Sequence, residues 1–278
     1  MDTSHIQPTL TDSEVLDFCK NGYLLLDGVV PDEVNRRAVE FLDNDTYFEP
    51  TAILAEDWFM EGVILNPAAA GAIRTLLGAE FTTPVLMSNH RVHMPREAQH
   101  WHRDGQSRYG PSLHYLQVFY YPEACTPEMG PTEVIPGSHY LFQHASFMGH
   151  YGGMRHSVKT AASAGSIFLT VYSIWHRRSA STAQGVRNLL KYNYWRTAPP
   201  VRDWIIEPEF DFRMADYTFP ITTPRQQFQE CLDAAEMFFW LCGKADEYRT
   251  MGGQGWPLPG NRSAPSAGFP GDPTAVTY

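Results

Sequence analysis

Two histidines and an aspartate lie close together in the stretch QHWHRDGQ, residues 99–106. His102 and Asp104 are two positions apart, so on an extended strand both side chains would project from one face, which His100 shares. A neutral imidazole together with a carboxylate suits a divalent first-row metal ion such as Fe(II). Because the chain contains 11 histidines, an H-x-D pair alone is weak evidence, and the rest of a site must come from elsewhere.

A third metal ligand would have to be a later histidine. His176 is the best placed, because it ends a predicted strand, GSIFLTVYSIWH, and a second strand is predicted after a turn through Gln184 and Gly185. The other later histidines are His114, His139, His144, His150 and His156.

Arg187 stands eleven positions after His176, near the start of that second predicted strand. An arginine guanidinium binds a carboxylate through two parallel hydrogen bonds. Two histidines and one carboxylate on one side of an iron ion leave three positions open. A keto acid that binds through two atoms, together with dioxygen, could fill these positions, and Arg187 could bind the far carboxylate of the keto acid.

Helices are predicted on both sides of a β-rich region. Thr11 and Glu14 form a predicted capping box for a first helix, and the stretch TPRQQFQECLDAAEMFFWLCG predicts a last helix with an apolar stripe. Between them, from about residue 83 to 197, five runs rich in β-branched and aromatic residues are separated by Gly and Pro turns. The pattern predicts one mainly β domain over residues 1–251 with a barrel or jelly-roll core, followed by a Gly/Pro-rich tail over 252–278.

The composition excludes several classes of protein. A net charge of −10 without a basic run argues against nucleic-acid binding. No stretch approaches 18 apolar residues, which argues against a membrane protein. The four cysteines show no metal-binding spacing and are expected to be buried free thiols. We therefore expect a soluble, cytoplasmic protein that acts on a small molecule.

Three motifs together resemble the phytanoyl-CoA dioxygenase family of Fe(II)/2-oxoglutarate oxygenases. They are HWHRD, the stretch GPTEVIPGSHY, and HRRSASTAQGVR, which spaces His176 and Arg187. The N-terminal stretch FCKNGYLLLDGVVPDEV is also similar to the opening of that family. The resemblance covers about residues 12–196 and rests on the order of the motifs.

This resemblance implies a double-stranded β-helix fold with His102, Asp104 and His176 as iron ligands and Arg187 as the anchor of 2-oxoglutarate. It also implies that Fe(II), 2-oxoglutarate and O2 oxidise a substrate C–H bond, with 2-oxoglutarate decarboxylated to succinate. Halogenating relatives lack the carboxylate ligand, so Asp104 favours hydroxylation or a related oxidation.

Two further polar residues, Asn89 and Gln117, lie on predicted strands and could hydrogen-bond 2-oxoglutarate or the substrate. The turn that contains His139 is expected to be structural. The loop FQHASFMGHYGGMRH could be simply exposed or could form a lid. Two alternatives stay open: a jelly-roll metalloenzyme that does not use 2-oxoglutarate, and a β-barrel binding module without iron.

Overall fold

The protein is described by a computed structural model. It covers residues 3–44, 47–105, 110–141, 147–150, 152–210 and 224–245. The predicted C-terminal tail and His144 lie outside the described residues.

Helices surround the β-structure, and local sequence signals fix their ends. Thr11 and Glu14 form the predicted capping box, and Gly22 ends the first helix in the left-handed conformation with φ 77°. Asn66 caps the fourth helix and Pro67 occupies its first position. The α-helices are α1 (Asp12–Asn21), α2 (Asp32–Asn44), α3 (Asp57–Phe59), α4 (Pro67–Leu77) and α5 (Pro224–Leu241), and the π-helical turn Met60–Ile64 follows α3 directly.

Two five-stranded sheets form the centre of the molecule, and all ladders between the named strands are antiparallel. The first sheet has the order β1-β9-β5-β12-β2, the second has the order β7-β4-β10-β6-β8, and β11 pairs with β3 beside them. The strands are β1 (Tyr23–Leu26), β2 (Ser88–Asn89), β3 (Val92–Arg96), β4 (Trp101–His102), β5 (Tyr115–Tyr121), β6 (Thr132–Val134), β7 (Phe147–Met148), β8 (Val158–Lys159), β9 (Ser166–Val171), β10 (His176–Arg178), β11 (Ser181–Arg187) and β12 (Leu190–Trp195).

This arrangement confirms the predicted jelly-roll type of core, although the two sheets do not close into a barrel. Alternation along β5 shows how they pack: Val118 and Tyr120 belong to the core shared with the helices, whereas Phe119 and Tyr121 belong to the cluster between the sheets. Val134, from the second sheet, lies in that same cluster. Polar side chains on the inner face of the first sheet therefore point toward the second sheet.

The predicted apolar stripe of α5 packs into the main core. Ala235, Phe238, Phe239 and Cys242 are buried there, and α5 packs against α1. The side chains of Phe228, Cys231 and Leu232 lie outside the description. A stripe at this spacing buries one helix face, so the structural interpretation of α5 holds in the described part.

Two predicted strand boundaries were wrong. His176 does not end the strand that begins at Ser166, because β9 stops at Val171 and His176 begins β10 in the other sheet. The chain crosses between the sheets at residues 172–175. The predicted turn at Gln184 and Gly185 is an irregularity inside β11, so Arg187 ends that strand instead of starting the next.

In the described part of the chain, no helix has the length and apolar character needed to cross a bilayer. Cys19, Cys125 and Cys242 are buried free thiols, as the sequence predicted for the cysteines.

Candidate metal and cosubstrate site

His102, Asp104 and His176 meet between the two sheets. One possible ligand atom from each lies within 4.8 Å of those of the other two. The Nε2 atom of His176 is 3.6 Å from Oδ2 of Asp104, and that of His102 is 3.9 Å from Oδ1. Two imidazoles and one carboxylate at this separation form a donor set that fits a divalent first-row metal ion and leaves coordination positions free.

Strand pairing brings the two histidines together. His176 on β10 is the direct register partner of His102 on β4, and their ring centroids are 4.5 Å apart. Asp104 follows just after β4, so the short strand and the residues beyond it deliver both members of the H-x-D pair. The predicted convergence of the three side chains is present in the structure.

Both imidazoles have their Nδ1 atoms occupied by backbone carbonyls. His102 donates from Nδ1 to the His100 carbonyl at 2.8 Å, and His176 donates to the Ile174 carbonyl at 3.1 Å. The hydrogen bond at Nδ1 fixes the tautomer of each ring and leaves its Nε2 with the lone pair that a metal requires. His100, whose side chain is exposed, thus supports the site through its backbone.

The Pro136–His139 turn holds the segment before His176. The Ser138 hydroxyl accepts a hydrogen bond from the Trp175 amide at 2.9 Å. The His139 ring is fully buried and donates from Nε2 to the Cys19 carbonyl at 3.1 Å. The predicted structural role of this turn is confirmed, because hydroxyl and ring both hold neighbouring backbone.

Asp104 has two donors from the opposite sheet. Lys191 on β12 places Nζ 2.8 Å from Oδ2 of Asp104, and the Gln117 amide donates to the same oxygen. Gln117 therefore lies at the metal end of the site and contacts the carboxylate. Sequence reasoning missed Lys191, because in the segment LKYNYW it alternates with the buried Leu190 and Tyr192, a pattern that is typical of a solvent-facing polar position.

These surroundings set the ionisation of the site. Burial would raise the pKa of Asp104, but the charges of His176 and Lys191 and hydrogen bonds from Lys191 and Gln117 outweigh it, so the pKa lies well below its usual range. Burial lowers the pKa of His176 to about 4 against the attraction of Asp104. At neutral pH the site thus offers a carboxylate and a neutral imidazole, which are the forms that bind metal.

A cavity of about 230 Å³ extends from His176 and is rich in arginine. No aspartate or glutamate belongs to its described lining. Arg187 is only 2% exposed, donates to the Gly130 carbonyl, and has an Nε atom without a hydrogen-bond partner among the described residues. The described lining is Phe48, Asn89, His90, Arg91, Val92, Arg96, Gln99, Phe119, Thr132, His176, Arg178, Arg187 and Leu189.

Asn89 lines this cavity, yet both ends of its amide are engaged by protein. Nδ2 donates to Asn188 Oδ1 at 3.0 Å, and Oδ1 accepts from the Leu189 amide at 3.3 Å. The neighbouring His90 has a buried Nε2 without a partner among the described residues, and burial lowers its pKa to about 3. His90 is therefore a neutral polar group that still has hydrogen-bonding capacity at the cavity wall.

A second cavity, of about 300 Å³, is lined by residues at and just before the start of β5 and at and just after the end of β9. Tyr115 and Tyr172 line it with their ring centroids 4.7 Å apart, and the charge of Asp104 contributes to a raised pKa of Tyr172, whose main cause is burial. The remaining lining residues are Ser112, Leu113, His114, Val171 and Ser173. Its aromatic and hydroxyl groups suit an organic molecule better than a metal ion.

The loop predicted to be exposed or to form a lid is attached to the metal strand. Strand β7 pairs with β4, and the Gly152 carbonyl accepts hydrogen bonds from Trp101 at 2.9 Å and from Arg177 at 2.7 Å. His150 and His156 are exposed. The described part of this loop is therefore fastened to residues adjacent to His102 and His176.

Comparison with known proteins identifies the family. The sequence model described as "Phytanoyl-CoA dioxygenase (PhyH)" matches residues 18–188, which is more than half of the chain. No curated protein matches the chain.

Solved structures of similar fold agree with this match. HygX from Streptomyces hygroscopicus, with nickel and 2-oxoglutarate bound, has a TM-score of 0.55 and 16% identity over 68% of this chain and 88% of its own. The epimerase SnoN, with Fe3+, alpha ketoglutarate and nogalamycin RO, gives 0.52 and 16% over 66% and 82%. AviO1 from Streptomyces viridochromogenes Tue57 gives 0.52 and 16% over 70% and 99%. The chain belongs to the phytanoyl-CoA dioxygenase family of Fe(II)/2-oxoglutarate-dependent oxygenases.

Proposed function

We propose that this protein hydroxylates an unactivated C–H bond of a small organic molecule, with Fe(II) held by His102, Asp104 and His176. The observation that carries this proposal is the convergence of three ligand atoms within 4.8 Å of one another. Iron(II) with 2-oxoglutarate and O2 supplies oxidation of a C–H bond, with release of succinate and carbon dioxide. The remaining steps are binding, orientation and exclusion of water by the residues of this chain.

Arg187 is proposed to bind the distal carboxylate of 2-oxoglutarate. Its guanidinium is buried, its Nε lacks a partner among the described residues, and the cavity in front of it reaches His176. A dianion in this cavity would offset charge that the described lining does not balance. Arg187 also separates this proposal from a jelly-roll metalloenzyme without 2-oxoglutarate, which would not need a buried cation here.

Gln117 is proposed to orient Asp104, because its amide donates to Oδ2 of that carboxylate. Asn89 stays a predicted contact of 2-oxoglutarate, although its engagement with Asn188 and Leu189 also supports a role in shaping the cavity wall.

The cavity beside Tyr115 and Tyr172 is proposed to admit the substrate. Its described lining shares no residue with that of the arginine cavity, and Tyr172 is within the electrostatic influence of Asp104, which supports separate places for substrate and 2-oxoglutarate. The two rings could pack against an apolar or ring-shaped part of the molecule.

The decisive experiment is a substrate-dependent succinate assay with the Fe(II)-loaded protein across a panel of small molecules. We expect one chemical class to give succinate together with an equal amount of product carrying one added oxygen. Mass spectrometry of the product separates hydroxylation from an epimerisation such as the one named for SnoN. A binding module would instead purify without stoichiometric metal and form no succinate.

The same assay with excess chloride tests the role of Asp104. A carboxylate ligand occupies the position that a halide would need, so we expect only oxidised product. Chlorinated product from the wild-type protein would contradict this assignment.

We propose that residues 1–251 form one oxygenase domain that works in the cytoplasm. The buried free thiols Cys19, Cys125 and Cys242 support a reducing compartment.

A further inference from the structure

Lys191 forms an ion pair with the proposed metal ligand Asp104. Its ammonium group lies 2.8 Å from Oδ2, and the two side chains are 20% and 18% exposed. Neither the H-x-D motif nor the His176–Arg187 spacing involves this lysine. A cation in contact with a metal-binding carboxylate needs a reason, because it competes with the metal for the same negative charge.

The hydrogen bonds divide the two carboxylate oxygens between different partners. Lys191 and Gln117 both reach Oδ2, whereas Oδ1 faces His102, whose Nε2 is 3.9 Å away. Oδ2 also lies 3.6 Å from Nε2 of His176, but there Lys191 and Gln117 compete with a metal, whereas neither of these donors reaches Oδ1, which is the oxygen more free to bind one. This division favours binding of Asp104 through one oxygen, which keeps other coordination positions open.

The formal charges show what the lysine does in each state. Without metal, Asp104 and Lys191 cancel each other. A bound dication leaves the group at +2, with the ammonium close to the ion in a partly buried place where like charges repel strongly. The carboxylate of 2-oxoglutarate next to its keto group lowers this charge to +1, and the distal carboxylate is the one proposed to pair with Arg187.

We propose that Lys191 couples metal binding to 2-oxoglutarate binding at this site. It weakens binding of the metal alone and strengthens binding of the metal–keto acid pair, by attracting the carboxylate next to the keto group. The inference rests on the proposed function. Arg187, four positions earlier, is engaged by Gly130 and serves the opposite, distal carboxylate.

The test measures the affinity of the intact protein for Co(II), a redox-inert probe, without and with saturating 2-oxoglutarate, by equilibrium dialysis under anaerobic conditions. In the wild type, we expect 2-oxoglutarate to raise Co(II) affinity by on the order of tenfold or more. In Lys191→Met, Co(II) alone should bind more tightly than in the wild type, because Asp104 has lost its competing cation. The enhancement by 2-oxoglutarate should shrink several-fold in that variant.

Lys191→Arg restores the charge and should restore most of the enhancement. Lys159→Met is the matched control, because it removes an equal charge from an exposed position on β8 and should leave both affinities unchanged. If Lys191 only supported the fold, its replacement by Met would lower the affinity for Co(II) with and without 2-oxoglutarate by the same factor, and the enhancement would stay unchanged. Weaker binding of Co(II) alone in Lys191→Met, or an unchanged enhancement, would overturn the proposal.

Pyruvate separates the two ends of the cosubstrate, since it keeps the keto acid group and lacks a distal carboxylate. Its smaller enhancement of Co(II) binding should depend on Lys191 and be unaffected by Arg187→Met. If the wild type binds neither Co(II) nor 2-oxoglutarate, the proposed function fails as a whole. If it binds both but Lys191→Met keeps the wild-type ratio, only the coupling fails.

Discussion

The two ends of the site differ in how their charges are balanced. At the metal end, Asp104 is paired with Lys191, and its carboxylate also accepts from Gln117. At the other end, four arginines line one cavity, and no carboxylate is part of its described lining. The charges of Asp104 and Lys191 cancel at the metal end without a ligand, whereas the charge of Arg187 in the arginine cavity has no counter-ion among the described residues until an anion binds.

The difference also separates the arginines from one another. Arg91 forms an ion pair with Asp43 at 3.0 Å, and Arg178 donates to the carbonyls of Ser179 and Glu97. Arg187 is the most deeply buried of the four, and a backbone carbonyl offers it no compensating charge. Burial without a counter-ion is costly, so a site that keeps such a residue is suited to a charged ligand.

Removing the carboxylate should have the largest effect. Asp104→Ala takes away the one anionic ligand and leaves Lys191 without its partner, so affinity for Co(II) should fall by more than about 100-fold. Equilibrium dialysis measures this loss, and oxidation activity should vanish with it. Asp17→Ala, at an exposed position on α1, carries the same change of charge and should behave as the wild type. Substantial oxidation of substrate by Asp104→Ala would contradict the assignment of Asp104 as a metal ligand.

Removing the buried arginine should affect only the cosubstrate. Arg187→Met is expected to weaken 2-oxoglutarate binding by about 2–5 kcal/mol, because the distal carboxylate loses its partner inside the cavity. Titration of the Co(II)-loaded protein with 2-oxoglutarate measures this change. Affinity for Co(II) alone should stay within a factor of about two, well below the effect on the cosubstrate. Unchanged 2-oxoglutarate affinity would show that the cavity binds something else.

His139 lies outside both ends of the site and should make the stability of the fold depend on pH. Burial lowers the pKa of His139 from its ordinary value of about 6.5 to about 3, so below about pH 6.5 the unfolded chain takes up a proton that the folded protein does not. Stability therefore falls as pH falls from about 6.5 toward 3, and His139 should account for about 2 kcal/mol at pH 5.

Urea unfolding of the wild type and of His139→Gln at pH 7.5 and pH 5 measures this contribution. The variant is expected to be less stable at pH 7.5 but to lose about 2 kcal/mol less on acidification. Equal losses of unfolding free energy in both proteins would mean that other groups cause the loss of stability in acid, among them His90 and His176 in the site itself.

The smallest effect is expected at the rim of the arginine cavity. Arg96 lines the cavity but is exposed, so solvent screens its charge. Arg96→Met should change 2-oxoglutarate affinity by less than about 1 kcal/mol, and added salt should reduce the change further. Isothermal titration at two salt concentrations checks this. A loss of 2-oxoglutarate affinity as large as that of Arg187→Met would mean that the exposed Arg96 contributes as much to binding as the buried Arg187.

Local rules predicted the parts of the molecule that depend on neighbouring residues. The capping box at Thr11 lies where the sequence predicts it, and the cap at Asn66 and the end of α1 at Gly22 likewise depend on residues next to them in the chain. The H-x-D spacing similarly delivers His102 and Asp104 to one place. In each case the determining atoms are within a few positions of one another.

Features set by long-range packing were harder to predict. The segment VYSIWH contains no Gly or Pro, so the crossing between sheets after Val171 looked like continued strand. The contact between Lys191 and Asp104 joins residues 87 positions apart and depends on how the first sheet faces the second. Alternation along β12 places the lysine on the face opposite Leu190 and Tyr192, but no local pattern shows that this face meets the second sheet.

The Pro136–His139 turn limits how far this protein can be truncated at its N-terminal end and still hold the site. This turn holds the backbone beside His176 on one side and the end of α1 on the other, where the Gly137 amide donates to Asn21 at 3.0 Å and His139 donates to Cys19. The family match begins at residue 18, inside α1. A trimmed version starting there would cut the helix that anchors the turn, so its boundary belongs upstream of Thr11 if His176 is to keep its place.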